Sequence, residues 1–148
     1  MVKPVLDQIN LVCGDPDAAL KFYRTLGVDI PDDNVWRTPT GAHHSSAAES
    51  SSPIGFDIDS AVFAKHWNAG WKGRNDLSGR VVVGFIVPSR EDVDTVFHNM
   101  TTAGYRTLQD PWDTFWGARY AIIEDPNGIA VGIMSPISPE RRYPPPEV

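Results

Sequence analysis

An internal repeat constrains the fold of this chain more than any other feature of its sequence. In the first copy, an apolar strand at residues 5–13 precedes Asp15, which can cap a helix, and Gly27 can end that helix in the left-handed conformation. In the second copy, a β-branched strand at residues 80–87 precedes Ser89, again a capping residue, and a glycine again follows the helix. The order of strand, cap, helix and glycine therefore occurs twice, about 75 residues apart.

Apolar residues recur at helical spacing in both helices, which predicts one buried face on each. The first helix carries Ala19, Phe22, Tyr23 and Leu26, and the second carries Val93, Val96, Phe97 and Met100.

Three short strand candidates follow each helix. They are residues 34–38, 42–48 and 54–59 after the first helix, and 105–109, 118–124 and 129–134 after the second. Asn127-Gly128, between the last two, is a strong signal for a hairpin turn. The pattern predicts an α+β fold of two βαβββ modules. Because a four-stranded sheet buries too little by itself, we expect the two curved, antiparallel or mixed sheets to pair around a cleft.

We expect a single domain over residues 1–138, with one module at 4–60 and a second at 79–137. The linker at 61–78 is interpreted as a short helix followed by ordered chain. The tail at 139–148 is rich in proline and cannot form sheet, so we expect it to be polyproline-like, frayed or laid across a neighbour.

Composition limits the class of partner. Acidic residues exceed basic residues by 19 to 13, which argues against nucleic acid, because phosphate binding needs a basic patch. No apolar run approaches the roughly 20 residues needed to cross a bilayer, so no membrane partner is expected. The single cysteine, Cys13, excludes an intrachain disulfide and fits a reducing compartment, so we expect a cytoplasmic protein.

Aromatic side chains crowd a stretch before the penultimate strand. Trp112, Phe115 and Trp116 lie there, in a segment that proline and glycine mark as a loop. Rings beside a cleft can stack on a planar or cationic ligand, and Asp113 could supply the charge partner of a cation. The alternative is a dimer interface, where tryptophan is also enriched. Trp36, on the second strand, fits the core and a ligand site equally well.

The two ends of the chain resemble the vicinal oxygen chelate superfamily, which includes glyoxalases, bleomycin resistance proteins and dioxygenases. The opening stretch, residues 6–27, is similar to the first module of that superfamily. The closing stretch, residues 115–128, is similar to its final hairpin, especially in the bleomycin-resistance-like and glyoxalase-like branches. The resemblance covers about residues 4 to 137, and it implies paired βαβββ modules, a cleft and a homodimer.

The resemblance also implies where a divalent metal would be held in metal-dependent members. Gln8 occupies the first ligand position, where such members have His or Gln. The equivalents in the second module are Val82, which cannot ligate, and Gly132, which has no side chain. The closing strand of the first module offers Asp57 or Asp59. Because too few ligands remain for a zinc site, we expect no cofactor, with a divalent metal as the alternative.

Two adjacent histidines, His43 and His44, lie on a predicted strand. Their side chains point to opposite faces, so they cannot chelate one ion together. In one interpretation both are ordinary polar residues of a strand end. In the functional interpretation one of them faces the cleft as an acid–base group or hydrogen-bond donor, and we assign that place to His44.

These residues favour a metal-independent small-molecule binding protein that holds a planar or cationic compound in an aromatic cleft. A metal-dependent glyoxalase-like lyase, isomerase or dioxygenase is one alternative, and a non-enzymatic interaction module is another. The expected ligand-binding residues are Gln8, Trp36, His44, Asp57, Trp112, Asp113, Phe115, Trp116 and Tyr120.

Overall fold

The computed structural model of the protein describes residues 8–39, 41–47, 53–68, 73 and 81–144. The chain divides into two compact units, Met1–Arg74 and Asn75–Val148. Each unit contains one four-stranded mixed sheet and the element order βαβββ. The predicted α+β class and the two βαβββ modules are therefore confirmed, whereas the pairing of the sheets around a cleft stays a prediction.

The first unit has four strands and two helices. They are β1 (Gln8–Cys13), α1 (Pro16–Leu26), β2 (Val35–Thr38), β3 (Gly41–Ser45), β4 (Gly55–Ser60) and α2 (Ala61–Trp67). The sheet order is β1-β4-β3-β2, with β1 parallel to β4 and the other pairs antiparallel. A short 3₁₀ turn at Asp32–Asn34, which the sequence pattern does not predict, leads into β2.

Local signals determine where α1 begins and ends. The Asp15 carboxylate accepts a hydrogen bond from the Ala18 N–H, and Pro16 takes the first helical position, where its missing N–H costs nothing. Gly27 ends the helix at a φ of 104°. The predicted apolar face is buried, and Tyr23 packs edge-on against Phe56 of β4 with ring centres 4.7 Å apart. This contact places α1 on one face of the sheet.

The second unit repeats the topology. Its elements are β5 (Val82–Ile86), α3 (Arg90–Thr102), β6 (Thr107–Asp113), β7 (Arg119–Glu124) and β8 (Ala130–Met134), followed by a 3₁₀ turn at Pro139–Arg141. The sheet order is β5-β8-β7-β6, and β5 is parallel to β8. Ser89 caps α3 by accepting a hydrogen bond from the Asp92 N–H, as predicted. The buried residues Val93 and Met100 of α3 pack with the buried side chains of one sheet face, namely Val83, Ala121, Ile123, Val131 and Ile133.

The predicted hairpin between β7 and β8 is confirmed. The Asp125 carboxylate accepts hydrogen bonds from the backbone N–H groups of Asn127 and Ile129, and Gly128 has a φ of 80°. The register of the last two strands follows from this turn, because Glu124 lies opposite Ala130.

One strand is longer than the sequence predicts. Strand β6 continues past residue 109 to Asp113, so Trp112 and Asp113 lie on a strand and not in a loop. The register with β7 shifts twice, once on each side of Gln109. These irregularities let the strand pass Pro111, which has no N–H to donate. The prediction that Trp112 lies in a loop marked by Pro111 is therefore wrong, because bulges accommodate the proline within the strand.

The C-terminal segment, as far as residue 144, packs on a neighbouring loop and forms no strand. It forms a 3₁₀ turn and then lies along the loop between β6 and β7. Its donors bind three backbone carbonyl groups there: the N–H of Tyr143 binds Phe115, the Tyr143 hydroxyl binds Asp113, and Arg142 Nε binds Trp116. The tail residues 145–148 lie outside the described residues, as does most of the linker after α2. Among the helices described, none has the length and apolarity needed to span a membrane.

Two glycines of the second unit form a matched pair for a stability test. Gly117 and Gly104 have φ values of 93° and 91°, but an added Cβ at Gly117 would collide with the carbonyl oxygen of Ser138, whereas one at Gly104 meets open space. We expect Gly104→Ala to cost about 1 kcal/mol through its backbone alone. Gly117→Ala should cost about 1–3 kcal/mol more, because the collision adds to it. Urea unfolding measures both losses, and equal losses would show that the C-terminal segment does not hold the loop.

Candidate functional site

Four aromatic side chains of the second unit form one group, here called the ring cluster: Trp112, Phe115, Trp116 and Tyr120. Trp116 lies at its centre. Its ring centre is 5.7 Å from that of Trp112, 4.9 Å from Phe115 and 5.8 Å from Tyr120, all in edge-to-face geometry. The four predicted ring residues are thus brought together.

Strand pairing and a short loop position the ring cluster. Trp112 and Tyr120 lie directly opposite each other on β6 and β7. Between them, the buried Thr114 exchanges hydrogen bonds with Ala118 through its hydroxyl and its N–H. Phe115 and Trp116 occupy the tip of this closed loop, so their rings are presented from a backbone that is tied at both ends.

The ring cluster continues into an apolar sheet surface. Alternation along the strands places Tyr120 on the sheet face opposite α3. We call this the apolar face, and its other residues are Val82, Ile86, Ile122 and Met134. Val82 and Ile86 are 48% and 70% exposed. The Tyr120 ring lies over Gly132, whose Cβ, if present, would be 2.6 Å from the phenol oxygen. Burial raises the pKa of Tyr120, so the phenol stays neutral.

Asp113 does not belong with the ring cluster, which corrects one expected site residue. Its Oδ1 accepts hydrogen bonds from Arg90 at 2.5 Å and from Arg119 at 3.0 Å, and Arg119 also binds Asp94 of α3. The hydrogen bond from Arg119 is the main cause that lowers the pKa of the Asp113 carboxyl. Strand alternation turns Asp113 toward α3, where two guanidinium groups already compensate its charge. It is therefore not available as the partner of a cationic ligand.

The first unit carries a second group of chemically active side chains on the sheet face opposite α1. We call it the polar face, and its residues are Gln8, Asn10, His43, Asp57 and Asp59. The Gln8 amide donates to Asp57, and Asn10 Nδ2 donates to Asp59 Oδ2 at 2.9 Å. His43 Nδ1 lies 2.5 Å from Asp59 Oδ1. Both aspartates therefore share the face of Gln8, a register that the sequence left open.

Trp36 stands at the border of the polar face. It lies opposite His43 on the neighbouring strand, and its ring packs edge-on against Phe63 of α2 with centres 5.1 Å apart. The Phe63 ring is also 5.8 Å from the His43 ring. Because Trp36 is 44% exposed, it is not a core residue.

His44 lies on the other side of the sheet from the remaining site residues of the first unit. It is 0% exposed, and its Nε2 is 3.9 Å from an Asp17 oxygen of α1. Within the described part of the chain, neither ring nitrogen has a hydrogen-bond partner. The two histidines do point to opposite faces, but His43, and not His44, stands with Gln8 and Asp57. Ala42, two residues before His44, is small and apolar and lies on the same face of the strand. This pattern indicates that His44 is buried.

The second unit does not fit the divalent metal that the resemblance implies. Val82 presents only hydrocarbon, and the space where a side chain at Gly132 would begin is filled by Tyr120. In the first unit the amide nitrogen of Gln8 is turned toward Asp57. Among the described residues, no group of three or more His, Cys, Asp or Glu side chains is arranged to hold a metal ion. No catalytic step through a metal follows from these residues.

The sequence matches the family model of the Glyoxalase/Bleomycin resistance protein/Dioxygenase superfamily over residues 5–133, so the chain belongs to that superfamily. No curated protein matches the sequence significantly.

Solved structures share the fold at low sequence identity. A glyoxalase-related enzyme from Fulvimarina pelagi is 17% identical, with a TM-score of 0.71 over 89% of this chain and 88% of its own. A glyoxalase/bleomycin resistance protein/dioxygenase from Nocardioides is 19% identical, with a TM-score of 0.68 over 93% and 86%. TnmS3, an antibiotic binding protein from Streptomyces sp. CB03234, is 20% identical, with a TM-score of 0.62 over 92% and 98%.

The buried His44 predicts a specific loss of stability in acid. Burial lowers its pKa from the ordinary 6.5, the positive charge of Arg37 lowers it further, and the negative charge of Asp17 opposes the shift to a smaller extent. The unfolded chain therefore binds a proton that the folded chain resists, and the free energy of unfolding falls as the pH drops below 6.5 toward the lowered pKa.

His44→Leu should flatten this dependence, because it removes the group that titrates differently in the two states. The exposed His98→Gln serves as control and should keep the wild-type slope. Urea unfolding at about pH 7.5 and about pH 5.5 gives the comparison. If wild type and His44→Leu lose the same free energy, His44 is not the cause.

Proposed function

We propose that the protein binds an uncharged, planar aromatic compound on the ring cluster and the adjoining apolar face, without a metal. One observation carries this proposal: Trp116 makes three edge-to-face ring contacts beside a sheet surface on which Val82 and Ile86 remain exposed. Edge-to-face packing leaves the face of a ring open on the outer side of such a cluster, where a flat ligand can stack. Large exposed apolar surface of this kind is typical of binding sites.

The charges around the ring cluster favour a neutral ligand over the cationic alternative. Asp113 is engaged by Arg90 and Arg119, and Glu124, at the end of the apolar face, is paired with Arg106 at 2.8 Å. A cation placed on the rings would gain only the attraction of the ring faces, without a carboxylate to compensate its desolvation. A neutral planar compound has no charge to desolvate.

The fold supports binding without chemistry. TnmS3, which shares the fold, is an antibiotic binding protein, so this architecture is compatible with holding a bulky organic compound. The homodimer and the cytoplasmic location expected from the sequence stay predictions. A dimer seam at the apolar face would compete with a ligand for the same surface, and sedimentation with and without ligand distinguishes the two.

Trp116→Ala should weaken ligand binding by about 1–3 kcal/mol, roughly 5- to 150-fold in Kd, because it removes the centre of the ring cluster. His98→Ala, which removes an exposed ring from α3 outside both sites, is the control and should leave Kd unchanged. Titration calorimetry with a neutral anthraquinone and a cationic acridine of similar size measures both affinity and charge preference. Equal affinities of Trp116→Ala and wild type, or no saturable binding at all, would contradict the proposal.

Chelation provides a separate prediction. Prolonged dialysis against EDTA should leave the Kd for the neutral ligand unchanged, because Val82 and Gly132 supply no ligating atom. Loss of binding that returns on adding Zn²⁺ or Mn²⁺ would instead establish the metal-dependent alternative. Thermal shifts with each ion on the dialysed protein serve as the control for metal-induced stabilisation.

A further inference from the structure

The polar face of the first unit contains a histidine–carboxylate pair that the proposed binding of a planar ligand does not use. His43 Nδ1 and Asp59 Oδ1 are 2.5 Å apart. Because an ionised carboxylate only accepts hydrogen bonds, Nδ1 carries the hydrogen. The lone pair of a neutral imidazole then lies on Nε2, at the opposite end of the ring. The arrangement therefore prepares one nitrogen of His43 to accept a proton.

Asp59 is held firmly enough to orient the ring of His43. The residue is only 1% exposed, and its second carboxylate oxygen accepts the hydrogen bond from Asn10 Nδ2 at 2.9 Å. The two oxygens of Asp59 thus connect β1 and β3 across β4. A carboxylate held in this way fixes the orientation of the imidazole ring of His43.

The His43 side chain is held by Asp59 and is also accessible to a substrate. It is 34% exposed, unlike Asp59 beneath it. The Phe63 and Trp36 rings flank it, with Phe63 5.8 Å away. Aromatic walls beside a basic nitrogen suit a flat substrate. Asp57, the other carboxylate of the face, disfavours an anionic substrate. A cationic substrate would repel the positive charge that the imidazole gains with the proton, so the substrate class is neutral.

We propose that His43, positioned by Asp59, is a general base that removes an acidic proton from a neutral planar aromatic compound. In this step the substrate C–H bond breaks, its proton forms the new N–H bond at Nε2, and the electron pair stays on the substrate. The proton can return to a neighbouring atom of the substrate, which completes an isomerisation with no oxidant, reductant or second substrate. The amides of Gln8 and Asn10 each carry a second N–H, which can donate a hydrogen bond to the negative charge that develops on the substrate.

The ring opening of 5-nitrobenzisoxazole tests the base directly in the full-length protein. The base takes the C3 proton, the electron pair of that C–H bond completes a nitrile, and the N–O bond breaks to release a coloured phenolate. His43 then returns its proton to water. We expect saturable turnover by wild type, and a loss of kcat/KM of about 100-fold or more in His43→Gln. The exposed His98→Gln is the matched control and should match wild type.

Two further measurements separate catalysis from a structural role. Added imidazole should restore turnover to His43→Ala, because it supplies the missing base in the vacated space. Asp59→Asn should lower kcat by about tenfold or more and leave KM close to wild type, because Asp59 acts through His43. Failure of imidazole to rescue, or equal rates for His43→Gln and His98→Gln, would overturn the proposal.

Chemical modification keeps the test decisive if these variants do not fold. Diethyl pyrocarbonate is added to wild type, and mass spectrometry follows the acylation of each histidine alongside the rate. Loss of turnover should parallel modification of His43, and full activity with His43 modified would refute its role. Turnover at His43 and ligand affinity at the ring cluster are separate readouts, so failure here and failure of ligand binding at the ring cluster are distinguishable.

Discussion

The parallel pairing of the first and last strands in each βαβββ module determines which side chains share a surface. In the first unit, this pairing places Gln8 and Asn10 on the same face as Asp57 and Asp59. In the second unit, the same pairing sets Val82 beside Ala130 and Gly84 beside Gly132. A shift by one residue would turn every one of these side chains to the opposite face. The chemistry of each unit thus depends on one parallel register.

The two units use the same topology for different chemistry. The polar face of the first unit has amides and carboxylates that bind one another. The apolar face of the second unit has small and apolar residues next to the ring cluster. On the polar face of the first unit, side chains bind one another across strands, as in the contact of Asp59 with both Asn10 and His43. In the second unit the charges are instead collected on the side of α3, where Arg119 binds Asp94 and Asp113. The second unit therefore has an apolar face, whereas the corresponding face of the first unit carries reactive side chains.

Sequence reasoning succeeded where the signal is local. Capping by Asp15 and Ser89, the stop at Gly27 and the turn at Gly128 each involve a few neighbouring residues, and each was predicted correctly. It failed where a distant strand decides the outcome. Alternation shows that His43 and His44 point apart, but only the register with β4 shows which one meets Asp59. Likewise, the bulges that carry β6 past Pro111 depend on β7, and they turn Asp113 away from the rings.

The C-terminal segment holds the loop of the ring cluster through backbone carbonyl groups of that loop. The acceptors for Ser138, Arg142 and Tyr143 are carbonyl oxygens of the loop and of the strand end before it. A carbonyl group is present whatever side chain its residue carries. The loop conformation is therefore insensitive to the identity of Phe115 and Trp116. Selection can exchange these side chains for others and alter which compound is recognised, while the scaffold that presents them is inherited unchanged.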